Sequence, residues 1–195
     1  GVEQAVVTTF QAISGAGRPG PPAADLMDNV LPFIAGEEDK LGNEVRKILG
    51  RASEVGFEDA AIRVSATCTR VPVAHGHLAS VSLACLERPR VEEVAELLTA
   101  YRGAVLQDGL PLAPVRPIEV LESDYRPQPR IDRDRGGGMT VTVGRIRPCE
   151  VHHLKMFVLS HNLVRGAAGA ALLNAELCHA RGLTPRPVNT ATAGR

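Results

Sequence analysis

Two periodicities alternate along the chain and divide it into strands and helices. Ile62, Val64, Ala66 and Cys68 recur at every second position, so this stretch reads as a strand with one buried face, and Arg70 falls in line with them. "VVTTF" (Val6 to Phe10) predicts a strand that runs into the glycine- and proline-rich "QAISGAGRPGPP". "HLASVSLACLE", from His77, is small or apolar on both faces, which predicts a strand buried on both sides. "MTVTVGRIRP" and "EVHHLKMFVLSH" predict two further strands joined by a tight turn around Pro148. Helical spacing takes over in "EEDKLGNEVRKILGRA", where Leu41, Val45, Ile48 and Leu49 share one side and Gly50 is a candidate stop.

"PRVEEVAELLTAYRG" and the small-residue "NLVRGAAGAALLNAELCHARG" predict two more helices, and "DLMDNVLPFI" a short helix or an irregular apolar segment. "AVLQDG" reads as a short strand, and the proline- and arginine-rich 110–138 as a long excursion without regular structure, a type of segment that usually serves function or an interface. The order strand, helix, strand, strand, helix, strand, strand, helix predicts an α+β domain. Its sheet is mixed and largely antiparallel, with helices packed on one face. One domain is expected over 1–183, followed by a polar, flexible tail over 184–195.

Composition narrows the classes. The 195 residues carry a net charge of zero, which argues against a nucleic-acid binder. No apolar run approaches the roughly 20 residues a membrane span needs. Cys68, Cys85, Cys149 and Cys178 are scattered without a CxxC pair. That predicts reduced thiols in a cytoplasmic protein, with no disulfide framework and no metal site. No GxGxxG follows a strand, so no complete dinucleotide-binding unit is expected in this chain. The chain opens directly on the strand-like "EQAVVTTF", as though more protein precedes it.

Candidate chemistry starts at "CTRVPVAHGH". A guanidinium on a buried strand face needs a carboxylate, from the protein or from a ligand, and its planar fork suits a substrate carboxylate. His77 offers acid/base chemistry near neutral pH, although Pro72 and Gly76 break the strand and prevent carrying a face assignment across from Arg70. Glu44 and Lys47 lie three apart on one helix face; such a pair is usually a surface ion pair worth about 0.2–0.5 kcal/mol, or else a clamp for a zwitterionic or phosphorylated ligand. "SGAG" (Ser14 to Gly17) permits close backbone approach to an anion or cofactor, and is more often a plain turn. The small residues of "GAAGA" predict close packing against another element. None of the cysteines has an activating context.

Together, "TTFQAISGAG", "LPFIAGEEDKLGNEVRKILG", "SATCTRVPVAHGH", "RPQPRIDRDRGGGMTVTVGRIRP" and "LSHNLVRGAAGAALLNAE" occur in an order that strongly resembles the C-terminal catalytic and dimerisation domain of aspartate-β-semialdehyde dehydrogenases, in their archaeal and fungal branch. The resemblance runs from about Val6 to Gly182. It implies a fold like the C-terminal domain of glyceraldehyde-3-phosphate-dehydrogenase-like enzymes. It implies reductive dephosphorylation of L-aspartyl-4-phosphate to L-aspartate-4-semialdehyde with NADPH, a step in lysine, threonine and methionine synthesis. It also implies a homodimer or homotetramer.

Carried over by motif, His77 is the acid/base and Gln11 orients the substrate or intermediate. Arg70 holds the α-carboxylate, Glu44 the amino group and Lys47 the phosphate. Ser14, Gly15 and Asn162 lie near the cofactor. The resemblance implies that NADP is bound mainly by an N-terminal domain absent from this chain, and that the nucleophilic cysteine belongs to an upstream asparagine-cysteine-threonine type motif that the chain does not contain. The chain alone is therefore expected to be inactive. A non-catalytic partner subunit of the same fold, and a malonyl- or succinyl-CoA reductase, are the alternatives.

Overall fold

The computed structural model describes residues 1–17, 19–103 and 109–183. The expected strand "AVLQDG" falls almost wholly outside the described residues, as does the 184–195 tail. Eight strands, β1 (Val2–Gln11), β2 (Arg51–Ser53), β3 (Gly56–Glu58), β4 (Arg63–Arg70), β5 (His77–Cys85), β6 (Ile118–Leu121), β7 (Val141–Pro148) and β8 (Leu154–Ser160), combine with five α-helices among the described residues. The helices are α1 (Ala23–Leu26), α2 (Glu37–Ile48), α3 (Val91–Ala100), α4 (Pro129–Asp132) and α5 (Gly169–Ala180).

The main sheet has the order β4-β1-β5-β8-β7-β6, and β2 pairs only with β3. β1/β5, β5/β8 and β8/β7 are antiparallel, while β1/β4 and β7/β6 are parallel. The α+β class and the mixed, largely antiparallel sheet are therefore as expected. β4 and β5 are joined by a short turn, yet β1 lies between them. Residues 71–76 span two strand spacings, roughly 10 Å, which a turn of that length reaches easily. β1, α2 and β4 thus form a parallel crossover unit.

Along β4 the even positions are buried or half-buried and the odd ones exposed until the C-terminal end, where Cys68, Thr69 and Arg70 are all buried. β4 is an edge strand, and its free side is covered in part: Leu31 exchanges backbone hydrogen bonds with Arg70, and the Glu38 carboxylate accepts the Cys68 N–H at 2.9 Å. β5 is half-buried along nearly its whole length rather than buried on both sides.

The 110–138 segment is more regular than expected. It contains β6, α4 and a 3₁₀ turn over Arg135–Gly138. β6 has only four residues and pairs in parallel at the sheet edge, so no alternation long enough to read exists there. The last helix begins as a π-helical turn, Val164–Ala168, before α5. Its small residues do permit close packing: a Cβ on Gly169 would fall 2.4 Å from the Met139 sulfur, and Met139, Leu110 and Leu173 form a buried cluster there.

Candidate active site

Three strands finish at one edge of the sheet. Gln11 and Arg70 are in-register partners at the C-terminal ends of parallel β1 and β4, and antiparallel β5 brings its first residue, His77, to the same edge. The break at Pro72 and Gly76 does not separate Arg70 from His77, because register across β1 realigns them. The loop after β1 then folds back over this edge. The Ala12 carbonyl accepts from Arg70 Nη1 at 2.9 Å, and the Ala12 N–H donates to His77 Nδ1 at 3.1 Å. Gly15 lies against both side chains. A Cβ there would sit 2.9 Å from His77 Nε2 and 3.0 Å from Arg70 Nη1, so glycine is required by close approach.

A third segment closes the far side. Asn162, just after β8, accepts the Gly76 N–H through Oδ1 and donates to Ser14 Oγ through Nδ2, both at 2.9 Å. The N-terminal turn of α2 completes the wall: Glu37 accepts from Gln11 Nε2 at 3.0 Å and pairs with Lys40 at 3.3 Å. The open cleft between these elements measures about 630 Å³, within the range of small-molecule sites.

The electrostatics follow from burial and neighbours. Burial, and next the Arg70 charge, push His77 down to about 4, against a smaller opposing pull from Glu37, so the imidazole is neutral at pH 7. The hydrogen bond from Gln11, with help from Lys40, holds Glu37 below the ordinary carboxylate range in spite of partial burial. Arg70 is 7% exposed and makes no ion pair with a carboxylate among the described residues. The cleft wall therefore carries two cations, Arg70 and Lys40, against one carboxylate, Glu37.

Of the residues singled out from sequence, Gln11, Ser14, Gly15, Arg70, His77 and Asn162 converge on this cleft, whereas Glu44 and Lys47 do not line it. Both are exposed, and Lys47 Nζ lies 5.3 Å from the centre of the Phe57 ring on β3. Glu37 and Lys40 have the same three-residue spacing one heptad earlier, two helical turns or roughly 10 Å along the axis. The signal that distinguishes the two pairs is topological. A crossover helix starts at the carboxyl ends of the strands it joins, and ligands bind at those ends. Glu38, which ties α2 to β4, was likewise not singled out. Cys68 is fully buried and burial raises its thiol pKa; no cysteine lines the cleft. Among the described residues no group of His, Cys, Asp and Glu could hold a metal ion, and no helix is long and apolar enough to cross a membrane.

Fold and cleft together define an α+β domain with a polar cleft at converging strand ends. The sequence from residue 1 to 165 matches the model of the semialdehyde dehydrogenase dimerisation domain, and the chain belongs to that family. It is 49% identical over 189 residues to the aspartate-semialdehyde dehydrogenase of Aspergillus fumigatus, covering 93% of this chain and 52% of the relative. It is 49% identical over 177 residues to that of Archaeoglobus fulgidus, covering 91% and 50%. The Candida albicans aspartate semialdehyde dehydrogenase, solved with NADP, superposes with a TM-score of 0.86 at 44% identity, covering 94% of this chain and 52% of that one. The chain thus spans about half the length of the relatives it matches.

Proposed function

We propose that this chain is the substrate-binding and dimerisation part of an aspartate-semialdehyde dehydrogenase, which converts L-aspartyl-4-phosphate to L-aspartate-4-semialdehyde with NADPH and releases phosphate. The observation that carries this reading is a buried guanidinium with no carboxylate ion pair among the described residues, beside a neutral imidazole and a Glu–Lys pair in one cleft. Arg70 takes the substrate α-carboxylate as a two-pronged donor. Glu37 takes the amino group and Lys40 the phosphate, the roles that the resemblance alone put on Glu44 and Lys47. Gln11 holds Glu37 in place and orients the substrate. His77, facing the space beside Gly15, serves the reacting oxygen as the acid/base.

The nucleophilic cysteine is supplied from the part of the relatives that this chain does not span, so this chain alone binds without turnover. Ser14, Gly15 and Asn162 fit the cofactor side. Gly15 lets the loop backbone pack against His77 and Arg70 at the cleft, and Ser14 and Asn162 present polar groups there. A bound nicotinamide supplies the hydride. The chain residues fix the acyl group, balance its charge and handle the proton. The half-exposed face of the sheet, with Val6 40% exposed on the central part of β1, is where a second copy packs in a homodimer or homotetramer.

The test is phosphate-dependent NADP reduction with aspartate semialdehyde, comparing this chain with a protein extended upstream through the nucleophilic cysteine. Activity only in the extended protein, lost on replacing Arg70, supports the reading. Activity with malonyl- or succinyl-CoA in place of the aminoacyl substrate refutes it.

A further inference from the structure

We infer that His161, a buried side chain with no part in the proposed chemistry, is a positioning residue: its Nδ1 fastens the turn that leads into α5 and so fixes the cleft wall built on Asn162. The ring is buried and does not line the cleft. Its Nδ1 accepts two backbone N–H groups, from Leu163 at 3.2 Å and from Val164 at 3.3 Å. Amides at the start of a helical turn have no partner within the helix, so this ring nitrogen satisfies them. The His161 carbonyl accepts the Gly166 N–H at 3.0 Å, so one residue holds the turn by its side chain and by its backbone. An Asn side chain fastens its own backbone in the same way, since its Oδ1 stands as many bonds from the main chain as Nδ1 does here.

The ring is set in place from its other sides as well. It stacks on His75, with 5.8 Å between ring centres and 16° between their planes. Its Nε2 faces Asp134 Oδ1 at 3.7 Å. A nitrogen that accepts from amides carries no hydrogen, so in the neutral ring the hydrogen is on Nε2, towards Asp134. Burial, the largest influence, pushes the His161 pKa below its ordinary value; Asp134 opposes this, while His75 and Arg133 add to it. Charging the ring would put a hydrogen on Nδ1 and release the turn.

What the turn carries gives this hold its consequence. β8 ends at Ser160, so the sheet ladder stops one residue before His161. Asn162 follows directly, and its amide ties two separate segments, Gly76 before β5 and Ser14 after β1. Asn162, Leu163, Gly166 and Ala167 all line the cleft. Arg70, Glu37 and Lys40, which face the substrate, belong to β4 and α2 and are held by contacts of their own. This role deepens the proposed reading and rests on it for the placing of the cofactor against Ser14, Gly15 and Asn162. His161 therefore acts on binding of the cofactor and not of the semialdehyde.

The hold is tested on this chain by NMR at pH 7. A long-range nitrogen–proton correlation on ¹⁵N-histidine-labelled protein should show a pyridine-type Nδ1 on His161, assigned by its loss in His161→Asn; a hydrogen on Nδ1 overturns the inference. Amide exchange at Leu163 and Val164 should be at least roughly tenfold faster in His161→Leu than in the wild type, and slow again in His161→Asn, whose Oδ1 replaces Nδ1. Equal rates in all three overturn it as well. In the upstream-extended protein, His161→Leu should raise KM for NADP roughly tenfold and leave KM for aspartate semialdehyde within about twofold of wild type, and His161→Asn should restore the first value. A lowered melting temperature with KM for NADP unchanged, or both KM values raised together, would make His161 a merely structural residue. If the extended protein reduces no NADP with aspartate semialdehyde, the proposed function fails. Calorimetric titration with NADP then decides the positioning role: weak binding in His161→Leu alone supports it, and equal affinities overturn it.

Discussion

Asp132 and Arg70 are both charged and buried, and the molecule treats them in opposite ways. Asp132 is completely buried, and every direction around it is filled. Arg126 donates to it from both Nε (2.6 Å) and Nη2, the Gln128 N–H donates at 2.7 Å, and Arg135 Nε at 3.0 Å. Arg135 continues to Glu119 at 2.7 Å. Burial alone would raise the Asp132 pKa, but these donors outweigh it and hold the carboxyl below its usual range. Arg70 is nearly as buried, yet its partner is one backbone carbonyl. The nearby carboxylate, Glu37, is already engaged by Gln11 and Lys40. A charge saturated by the protein holds a segment in place; a charge left open at a cleft waits for a ligand.

The saturated region should show the largest stability effect. Asp132→Ala removes the carboxylate partner of Arg126 and the acceptor of the Gln128 N–H, while Arg135 keeps Glu119, and is expected to cost roughly 1–3 kcal/mol, read as a shift of the urea unfolding midpoint. A cost below about 1 kcal/mol would show the network to be surface decoration. His77 gives the next effect, through pH. Its pKa is about 4 in the fold, below the ordinary 6.5. Between those values the unfolded chain binds a proton that the native chain refuses. Stability therefore falls as pH drops from 6.5 towards 4, by at most about 1.4 kcal/mol per unit, and this slope should flatten in His77→Asn. An unchanged slope would mean that the imidazole is not held neutral.

The smallest stability effects belong to the two Glu–Lys pairs on α2. Glu37→Gln, Lys40→Ala, Glu44→Gln and Lys47→Ala should each change stability by no more than about 0.5 kcal/mol. Their effects on KM separate them. The first two should raise KM for aspartate semialdehyde or phosphate in the upstream-extended protein, and the last two should leave it alone. The reverse pattern would return the substrate clamp to Glu44 and Lys47.

The difference between these pairs shows what was legible in the sequence. The period-two run ending in Arg70 placed a guanidinium on a buried face, and the α2 stripe from Leu41 to Leu49 placed a helix; both stand in the structure. What could not be read was axial position. Residues seven apart share a helix face, so periodicity cannot say which end of α2 meets the strand ends. β1 inserting between β4 and β5 was hidden for a related reason: a short turn suggests neighbouring strands, and only long-range pairing shows otherwise. The Asp132 network was illegible because its donors come from Arg126, Arg135 and a backbone N–H within a segment that has no extended periodicity.

The central claim is that Arg70 was left unpaired for a ligand. The measurement that tests it most directly is the KM for aspartate semialdehyde of Arg70→Met in the upstream-extended protein, with the melting temperature followed in the same samples. Removing a charge-assisted two-pronged contact should raise KM roughly 100-fold. The melting temperature should fall less than in Asp132→Ala, since only the hydrogen bond to the Ala12 carbonyl is lost and no ion pair among the described residues is broken. An unchanged KM with a melting temperature lowered as far as in Asp132→Ala would contradict the account and make Arg70 one more structural charge.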